Sequence, residues 1–157
     1  MKPRLYIETT IPSYLVARPS PLIRIAADQQ TTREWWDTKR HEYELFTSEV
    51  VVAEVSAGDV SMAQARMDIL SGILRLPAQP EVDGLIEQLL SEAIVPSNAT
   101  ADAAHIALGV VHAMDFILTW NCKHISNPHN FRRIERLCAK NGYGCPVICT
   151  PEQLLQS

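Results

Sequence analysis

Four polar side chains of this sequence could together hold a divalent metal ion: Glu8, Glu54, Asp102 and Asn121. Three of them are carboxylates, which raise each other's pKa when they converge unless a cation joins them. Mg²⁺ and Mn²⁺ prefer such oxygen ligands, and Mg²⁺ needs only one or two direct carboxylates. A metal ion held in this way can polarise a phosphate oxygen and generate hydroxide for in-line attack. The sequence therefore predicts metal-assisted cleavage of a phosphate ester.

Predicted strands alternate with predicted helices along the chain, which favours an α/β protein with a parallel sheet covered by helices on both faces. The strands are predicted at 5–8, 45–47, 73–76, 116–119 and 147–149. The helices are predicted after Pro12, at 22–42, from Glu49, at 61–70, 82–94, 102–113 and 132–140, and from Thr150. Ser48 and Thr100 are predicted as N-caps. Right-handed crossovers then place the carboxyl ends of all strands along one edge of the sheet.

The four site residues fall at that edge. Glu8 ends the first strand, Glu54 lies on the helix after the second, Asp102 opens the helix before the fourth, and Asn121 follows the fourth. Taken singly, each has a simpler explanation: an exposed strand-end acid, a solvated helix face, a favourable charge near a helix N-terminus, or a turn residue. Asp115 precedes the fourth strand, so we expect it at the opposite edge as a structural turn acid.

Length and composition favour one domain, residues 1–157, with a substantial core: 46% of the residues are hydrophobic and 20% charged. The net charge of -4 does not indicate a nucleic-acid-binding protein, but the window 122–142 carries +4 and leaves -8 for the rest. A basic face of this kind can bind phosphates, and a solvated helix face is the simpler alternative. Neither a signal peptide nor a membrane span is evident, which predicts a cytoplasmic protein without membrane partners.

Several other functions are disfavoured by the motifs. The chain has no Gly-x-Gly-x-x-Gly and no P-loop, and the first strand lacks the Asp-x-Asp of aspartate-nucleophile phosphatases. The four cysteines lie in the last quarter and are predicted to be thiols that pack in the core, since their spacing with His124 and His129 fits no common zinc site. His105 lies among apolar residues, so a hydrogen-bonded core histidine is favoured over a catalytic base.

Five segments resemble the PIN domain, the ribonuclease fold of VapC-type toxins in toxin–antitoxin pairs. They are 5–10 (LYIETT), 47–54 (TSEVVVAE), 102–107 (DAAHIA), 115–121 (DFILTWN) and 146–152 (PVICTPE). The resemblance implies a three-layer α/β/α domain with a central parallel sheet of about five strands. It also implies a Mg²⁺ or Mn²⁺ site formed by Glu8, Glu54 and Asp102, with Asn121 as a fourth catalytic residue.

The activity that this resemblance implies is cleavage of single-stranded or structured RNA by metal-activated water. A toxin-like role further implies an antitoxin protein as partner and a homodimer, for which Trp35 and Trp36 could supply a surface. The alternative for this pair is that one tryptophan is core and the other partly exposed. Residues placed to bind RNA are Thr10, Thr119, Lys123, His124, Arg132 and Arg133. Trp120 could stack on a base, and packing under the turn is the alternative.

Two residues depart from the family pattern. The first strand usually ends in Asp, where this chain has Glu8, and a fourth acid often stands where this chain has Asn121. An amide oxygen can still bind a metal ion or orient its water, but it brings no negative charge and should hold the ion more weakly. The sequence therefore leaves open a second possibility, a catalytically weakened PIN-fold module that binds RNA or protein.

Overall fold

A computed structural model describes residues 1–156, and Ser157, the last residue of the predicted domain, lies outside them. In this part of the chain five parallel strands form one sheet in the order β3-β2-β1-β4-β5. The strands are β1 (Arg4–Ile7), β2 (Glu44–Ser48), β3 (Leu74–Leu76), β4 (Phe116–Leu118) and β5 (Val147–Cys149). The helices are α1 (Thr10–Val16), α2 (Ile23–Thr38), α3 (Glu49–Val55), α4 (Val60–Leu70), α5 (Pro80–Ser91), α6 (Thr100–Val111), α7 (Pro128–Lys140) and α8 (Pro151–Leu155). The predicted three-layer α/β/α architecture is confirmed.

The strand order places a topological switch point between β1 and β4. The chain builds outward from β1 to β2 and β3 on one side, then crosses to β4 and β5 on the other. Ligands of open α/β sheets bind in the crevice beyond the carboxyl ends of the two strands at such a point. Glu8 and Thr119 are the residues that directly follow these two strands. The fold thus places the first predicted site acid in the crevice.

Helix α6 is buried along most of its length, with eight consecutive buried residues from 103 to 110. Apart from Thr100, Asp102 and His105 its residues are apolar or glycine, as expected of a helix packed inside a domain rather than on its surface. Gly109 lies directly against β4, because a Cβ atom built there would be 2.5 Å from Ile117 Cδ1. This close contact fixes α6, and with it Asp102, relative to the strand that leads to Thr119.

The prediction that Thr100 caps α6 is wrong. The N-cap is Ala99, whose side chain offers no acceptor, and Thr100 is the first helical residue. A turn precedes the helix, closed by the hydrogen bond from Ala99 N to Pro96 O. The helix begins here because the next hydrogen bond, from Ala103 N to Ala99 O, is already the first of the helix. Asp102 still lies in the first turn, as predicted.

Other helix boundaries also differ from the predictions. Helix α7 begins at Pro128, because the side chain of Asn127 accepts from His129 N and so caps an earlier start. Helix α2 ends at Thr38 and is followed by a separate 3₁₀ turn, Arg40–Glu42. Helix α5 occupies Pro80–Ser91 and not 82–94. The predicted cap Ser48 is confirmed. Thr150, where a last helix is predicted to start, is the N-cap of α8 within a full capping box.

The tryptophan pair matches the simpler of its two explanations. Trp35 is completely buried, whereas Trp36 is half-buried and carries the Arg40 guanidinium 5.0 Å from its ring centre. Homodimer formation through this pair stays a prediction. None of the helices within residues 1–156 is long and apolar enough to cross a membrane.

All four cysteines are free thiols, as predicted, and Cys138 and Cys149 are buried. The predicted core packing is wrong for Cys122, which is exposed in the loop after β4. Burial raises the pKa of the Cys149 thiol to about 12. The thiol therefore stays protonated at neutral pH and becomes a thiolate only as the pH approaches that value.

We expect iodoacetamide at pH 8 to modify the exposed Cys122 in the native protein and to spare Cys149, which peptide mass spectrometry would measure. Rapid alkylation of Cys149 before unfolding would contradict its burial.

Candidate active site

Glu8 is the centre of a hydrogen-bond network at the switch point. It is 3% exposed, and its Oε1 accepts from Thr10 N (2.9 Å), Thr10 Oγ1 (2.5 Å) and Thr119 Oγ1 (2.8 Å). The Thr10 hydroxyl in turn accepts from Trp120 N at 2.9 Å. A carboxylate that accepts this many hydrogen bonds is held in one orientation. Thr10 and Thr119, predicted as RNA-binding residues, therefore both contact the first site acid.

A second branch of the network joins Glu8 to Asp102 through the loop after β4. Thr119 Oγ1 accepts from Asn121 N (2.9 Å), and Asn121 Oδ1 accepts from His124 N (3.0 Å). His124 Nδ1 donates to Asp102 Oδ2 at 2.7 Å. Glu8, Asn121 and Asp102 thus belong to one continuous set of contacts, although 113 positions separate Glu8 from Asn121 in the sequence.

Glu54 joins the same region through two contacts. Its Oε1 accepts from Thr9 Oγ1 and from His105 Nε2, both at 2.6 Å. Thr9 stands next to Glu8 in the sequence, and His105 lies one helical turn beyond Asp102 on α6. The hydrogen bond from His105 holds the pKa of the Glu54 carboxyl below its usual value; burial opposes this shift, and the Thr9 hydroxyl adds to it. The carboxylate is therefore ionised at neutral pH.

Each site acid engages the chain through one oxygen. The contacts described above use Glu8 Oε1, Glu54 Oε1 and Asp102 Oδ2, and within residues 1–156 the second oxygen of each carboxylate makes no hydrogen bond. Oxygen ligands of this kind suit Mg²⁺ or Mn²⁺. No three His, Cys, Asp or Glu side chains of the described residues form a ready-made metal site. Mg²⁺ commonly binds through one or two carboxylates and several waters, and the unbonded oxygens of these acids are donors of that kind.

The two arginines predicted to bind RNA lie in different surroundings. Arg133 donates to the main-chain oxygens of Glu92 and Ala93 at the end of α5. Arg132 is exposed, as is Lys123, and within residues 1–156 neither side chain makes a hydrogen bond or ion pair. Arg133 thus has a structural contact, whereas Arg132 and Lys123 extend into solvent from the segment that follows the site.

These surroundings predict effects of different size on stability for two neighbouring substitutions. Arg133→Ala should lower the free energy of unfolding by about 1 kcal/mol, because the carbonyls at the end of α5 lose a charged donor. Arg132→Ala should change stability by less than about 0.5 kcal/mol, as is usual at exposed positions. Urea unfolding of the two variants measures the difference. Equal losses in both proteins would show that the Arg133 contacts contribute nothing.

A groove of about 940 Å³ adjoins the site through Trp120. The Trp120 ring stacks on Tyr14 with centroids 6.0 Å apart and planes at 15°, and its Nε1 donates to Thr32 Oγ1 at 2.7 Å. The exposed side chains of Leu22 and Ile23 also line this groove. The predicted packing of Trp120 under the turn is thus observed, and one side of the same aromatic pair borders the groove.

Asp115 lies at the opposite edge of the sheet, as predicted. Its Oδ2 accepts from Arg4 N at 2.8 Å, at the amino end of β1. His105 is confirmed as a fully buried, hydrogen-bonded core histidine. No sequence pattern indicated that its partner would be a site acid. Thr9 was also missed, and its only signal was its position between Glu8 and Thr10.

The fold and the network define an α/β protein with an acidic cluster at the switch point of a parallel sheet. No protein-family model and no curated protein matches the chain. Among solved structures the chain is similar to VapBC2 from Rickettsia felis bound to a DNA fragment from their promoter. The TM-score is 0.59 at 17% sequence identity, and the similarity covers 93% of this chain and 97% of that one. The chain therefore has a PIN-like fold.

Proposed function

We propose that this protein is a metal-dependent ribonuclease of the VapC type and the toxin of a toxin–antitoxin pair. The observation that carries the proposal is the hydrogen-bond network at the switch point, which links Glu8 to Asp102 through Asn121 and His124. The PIN-like fold supports it, as does the position of Glu54 beside Thr9. RNA is the substrate class that the sequence resemblance implies.

In this proposal Mg²⁺ or Mn²⁺ binds among Glu8, Glu54 and Asp102, directly to the unbonded oxygens of one or two of them and through water to the rest. A bound ion of this class supplies an activated water and neutralises charge on the phosphate under attack. The chain supplies the orientation: Thr10 and Thr119 fix the Glu8 carboxylate, and His124 fixes that of Asp102. Asn121 holds the loop that carries His124. Preorganised ligands of this kind need no rearrangement when the substrate arrives.

The RNA strand would approach over the cations that follow the site. Lys123 and Arg132 are exposed and unpaired within residues 1–156, so both can reach a phosphate backbone. The groove beside Trp120 and Tyr14 offers an aromatic border on which an unpaired base can stack. These features favour single-stranded RNA over a duplex, whose bases are already stacked on one another.

The proposed partner is an antitoxin protein that pairs with this chain. The structural neighbour carries the VapBC name, and the sequence resembles the toxin members of such pairs. A short reading frame beside the gene, whose product copurifies with this chain and suppresses RNA cleavage, would support the toxin role. A homodimer is likewise proposed, and sedimentation analysis of the purified chain would test it.

One observation favours a second candidate, a weakened PIN-fold module that binds RNA or protein without cutting. Asn121 carries no charge where the family often has an acid, and its Oδ1 is already engaged by His124 N. Calorimetric titration with Mn²⁺ separates the two candidates. Binding in the micromolar to millimolar range favours the nuclease, and no heat of binding favours the weakened module.

The deciding experiment is cleavage of a single-stranded RNA oligonucleotide by the purified chain. With Mn²⁺ or Mg²⁺ present we expect discrete products, and after chelation with EDTA we expect none, because the proposal assigns activation of the water to the bound ion. A structured RNA of the same length serves as the comparison substrate. Failure to cut either RNA at any metal concentration would exclude the nuclease.

A further inference from the structure

A buried chain of hydrogen bonds leads from the start of α3 to Glu54 near its end. Ser48 Oγ and Tyr6 Oη are 2.7 Å apart, and Tyr6 Oη is 2.7 Å from His105 Nδ1. His105 Nε2 is 2.6 Å from Glu54 Oε1. Ser48, Tyr6 and His105 are each at most 1% exposed. The chain therefore runs through the protein interior until it reaches the half-buried carboxylate.

The chemistry of Glu54 gives the last hydrogen bond of this chain a direction. An ionised carboxylate only accepts, so His105 Nε2–H donates to Glu54. When the ring carries its one proton at Nε2, Nδ1 accepts from the Tyr6 hydroxyl. The Tyr6 oxygen can accept in turn from the Ser48 hydroxyl, whose oxygen accepts from Val51 N as the cap of α3. The partners are all satisfied, so the imidazole is held in one tautomer and one orientation.

The placement of His105 ties two site acids to one rigid element. Asp102 and His105 lie one turn apart on α6, whereas Glu54 belongs to α3, a helix of only seven residues. A glutamate side chain that is 35% exposed has several accessible rotamers, and holding it in one of them costs conformational entropy. The hydrogen bond from His105 anchors one oxygen of Glu54, and the other oxygen is left unbonded. The carboxylate is therefore oriented from α6.

We propose that His105 is a positioning residue of the active site: it orients Glu54 so that the unbonded oxygen of Glu54 faces the metal site that Asp102 shares. Tyr6 and Ser48 fix the imidazole that does this. The inference rests on the proposed function, because it assigns Glu54 the role of a metal ligand. Residues that hydrogen-bond to a metal ligand and so orient it usually contribute 10-fold to 100-fold in metal affinity or activity.

The test compares Mn²⁺ affinity and RNA cleavage in substituted proteins. His105→Leu places an apolar side chain of suitable size in the core and removes the N–H donor to Glu54. We expect Mn²⁺ affinity to fall about 10-fold or more, with kcat reduced and KM for RNA unchanged. His105→Gln can keep an N–H donor at the position of Nε2 and should recover most of the affinity. His112→Leu is the matched control, because it removes a histidine from the other end of α6 whose Nε2 bonds Pro77 O.

The outcomes separate this inference from the proposed function. Equal Mn²⁺ affinity in wild type and folded His105→Leu overturns the positioning role and leaves the nuclease intact, whereas wild type that binds no Mn²⁺ overturns both. Where His105→Leu does not fold, His105→Asn replaces it, because the shorter amide can reach Tyr6 but not Glu54. A positioning role predicts weaker Mn²⁺ binding for Asn than for Gln, and equal affinities in these two variants would overturn it.

Discussion

The Asp102→Asn protein is expected to cut RNA at least about 100-fold more slowly than wild type, with the loss in kcat/KM. The substitution removes the negative charge and keeps an oxygen that can still accept from His124 Nδ1. The fold around α6 should therefore survive, while the proposed metal ligand becomes a neutral amide. Initial cleavage rates over a Mn²⁺ series would show whether the lost activity returns at high metal concentration, as it should when affinity is what has been lost.

The matched control is Asp115→Asn, an identical chemical change at the opposite edge of the sheet. The new amide oxygen can still accept from Arg4 N, so stability should hardly change. We expect this variant to cut RNA at the wild-type rate. Equal activity of the Asp102→Asn and wild-type proteins would remove Asp102 from the active site, and loss of activity in both variants would point to a general effect of charge on the fold.

A second large effect is expected at the contact between α6 and β4. Gly109→Ala should lower the free energy of unfolding by about 1–3 kcal/mol, because the added methyl group would lie 2.5 Å from Ile117 Cδ1 and 2.7 Å from Ile117 Cγ1. Ile117 is completely buried and has little room to move. Urea unfolding measures the loss. The same displacement should reduce RNA cleavage, because α6 carries Asp102.

Two further proteins make this prediction specific. Gly84→Ala lies in α5 with open space around the new methyl group, so it should raise stability by about 0.5–1 kcal/mol through helix propensity alone. In an Ile117→Ala background the clash is gone, and Gly109→Ala should then be neutral or stabilising. A double-mutant cycle measures this coupling directly. A Gly109→Ala loss that persists in the Ile117→Ala protein would show that the clash is not its cause.

The order and type of the elements could be predicted because each strand and most helices carry a local signal. Apolar runs of three to five residues mark the strands, and β5 was predicted with its observed boundaries. Where a helix start was predicted from a capping side chain, the prediction was correct only if the backbone placed that residue at the N-cap position. Ser48 caps α3 as predicted, but the chain enters α6 through a turn that makes Ala99 the N-cap and leaves the Thr100 hydroxyl unused.

The partners of the site residues could not be predicted, because they depend on how separate elements are placed in three dimensions. His105 reads as a core histidine in the sequence, and it is one, yet its position opposite Glu54 follows from the packing of α6 beside α3. Arg133 and Arg132 are adjacent and chemically identical, and only the end of α5 distinguishes them. A one-dimensional pattern holds no information about such contacts.

By itself the sequence determined the fold class, the carboxyl-end edge as the place of the site, and Glu8, Glu54, Asp102 and Asn121 as its residues to test. These follow from local periodicity and from the fixed handedness of crossovers between parallel strands. Only the tertiary structure decided that Thr119 and Thr10 hold Glu8, that His124 holds Asp102 and that His105 holds Glu54. Hydrogen bonds form between groups that packing brings within about 3 Å, and that proximity is set by the whole core rather than by any one segment.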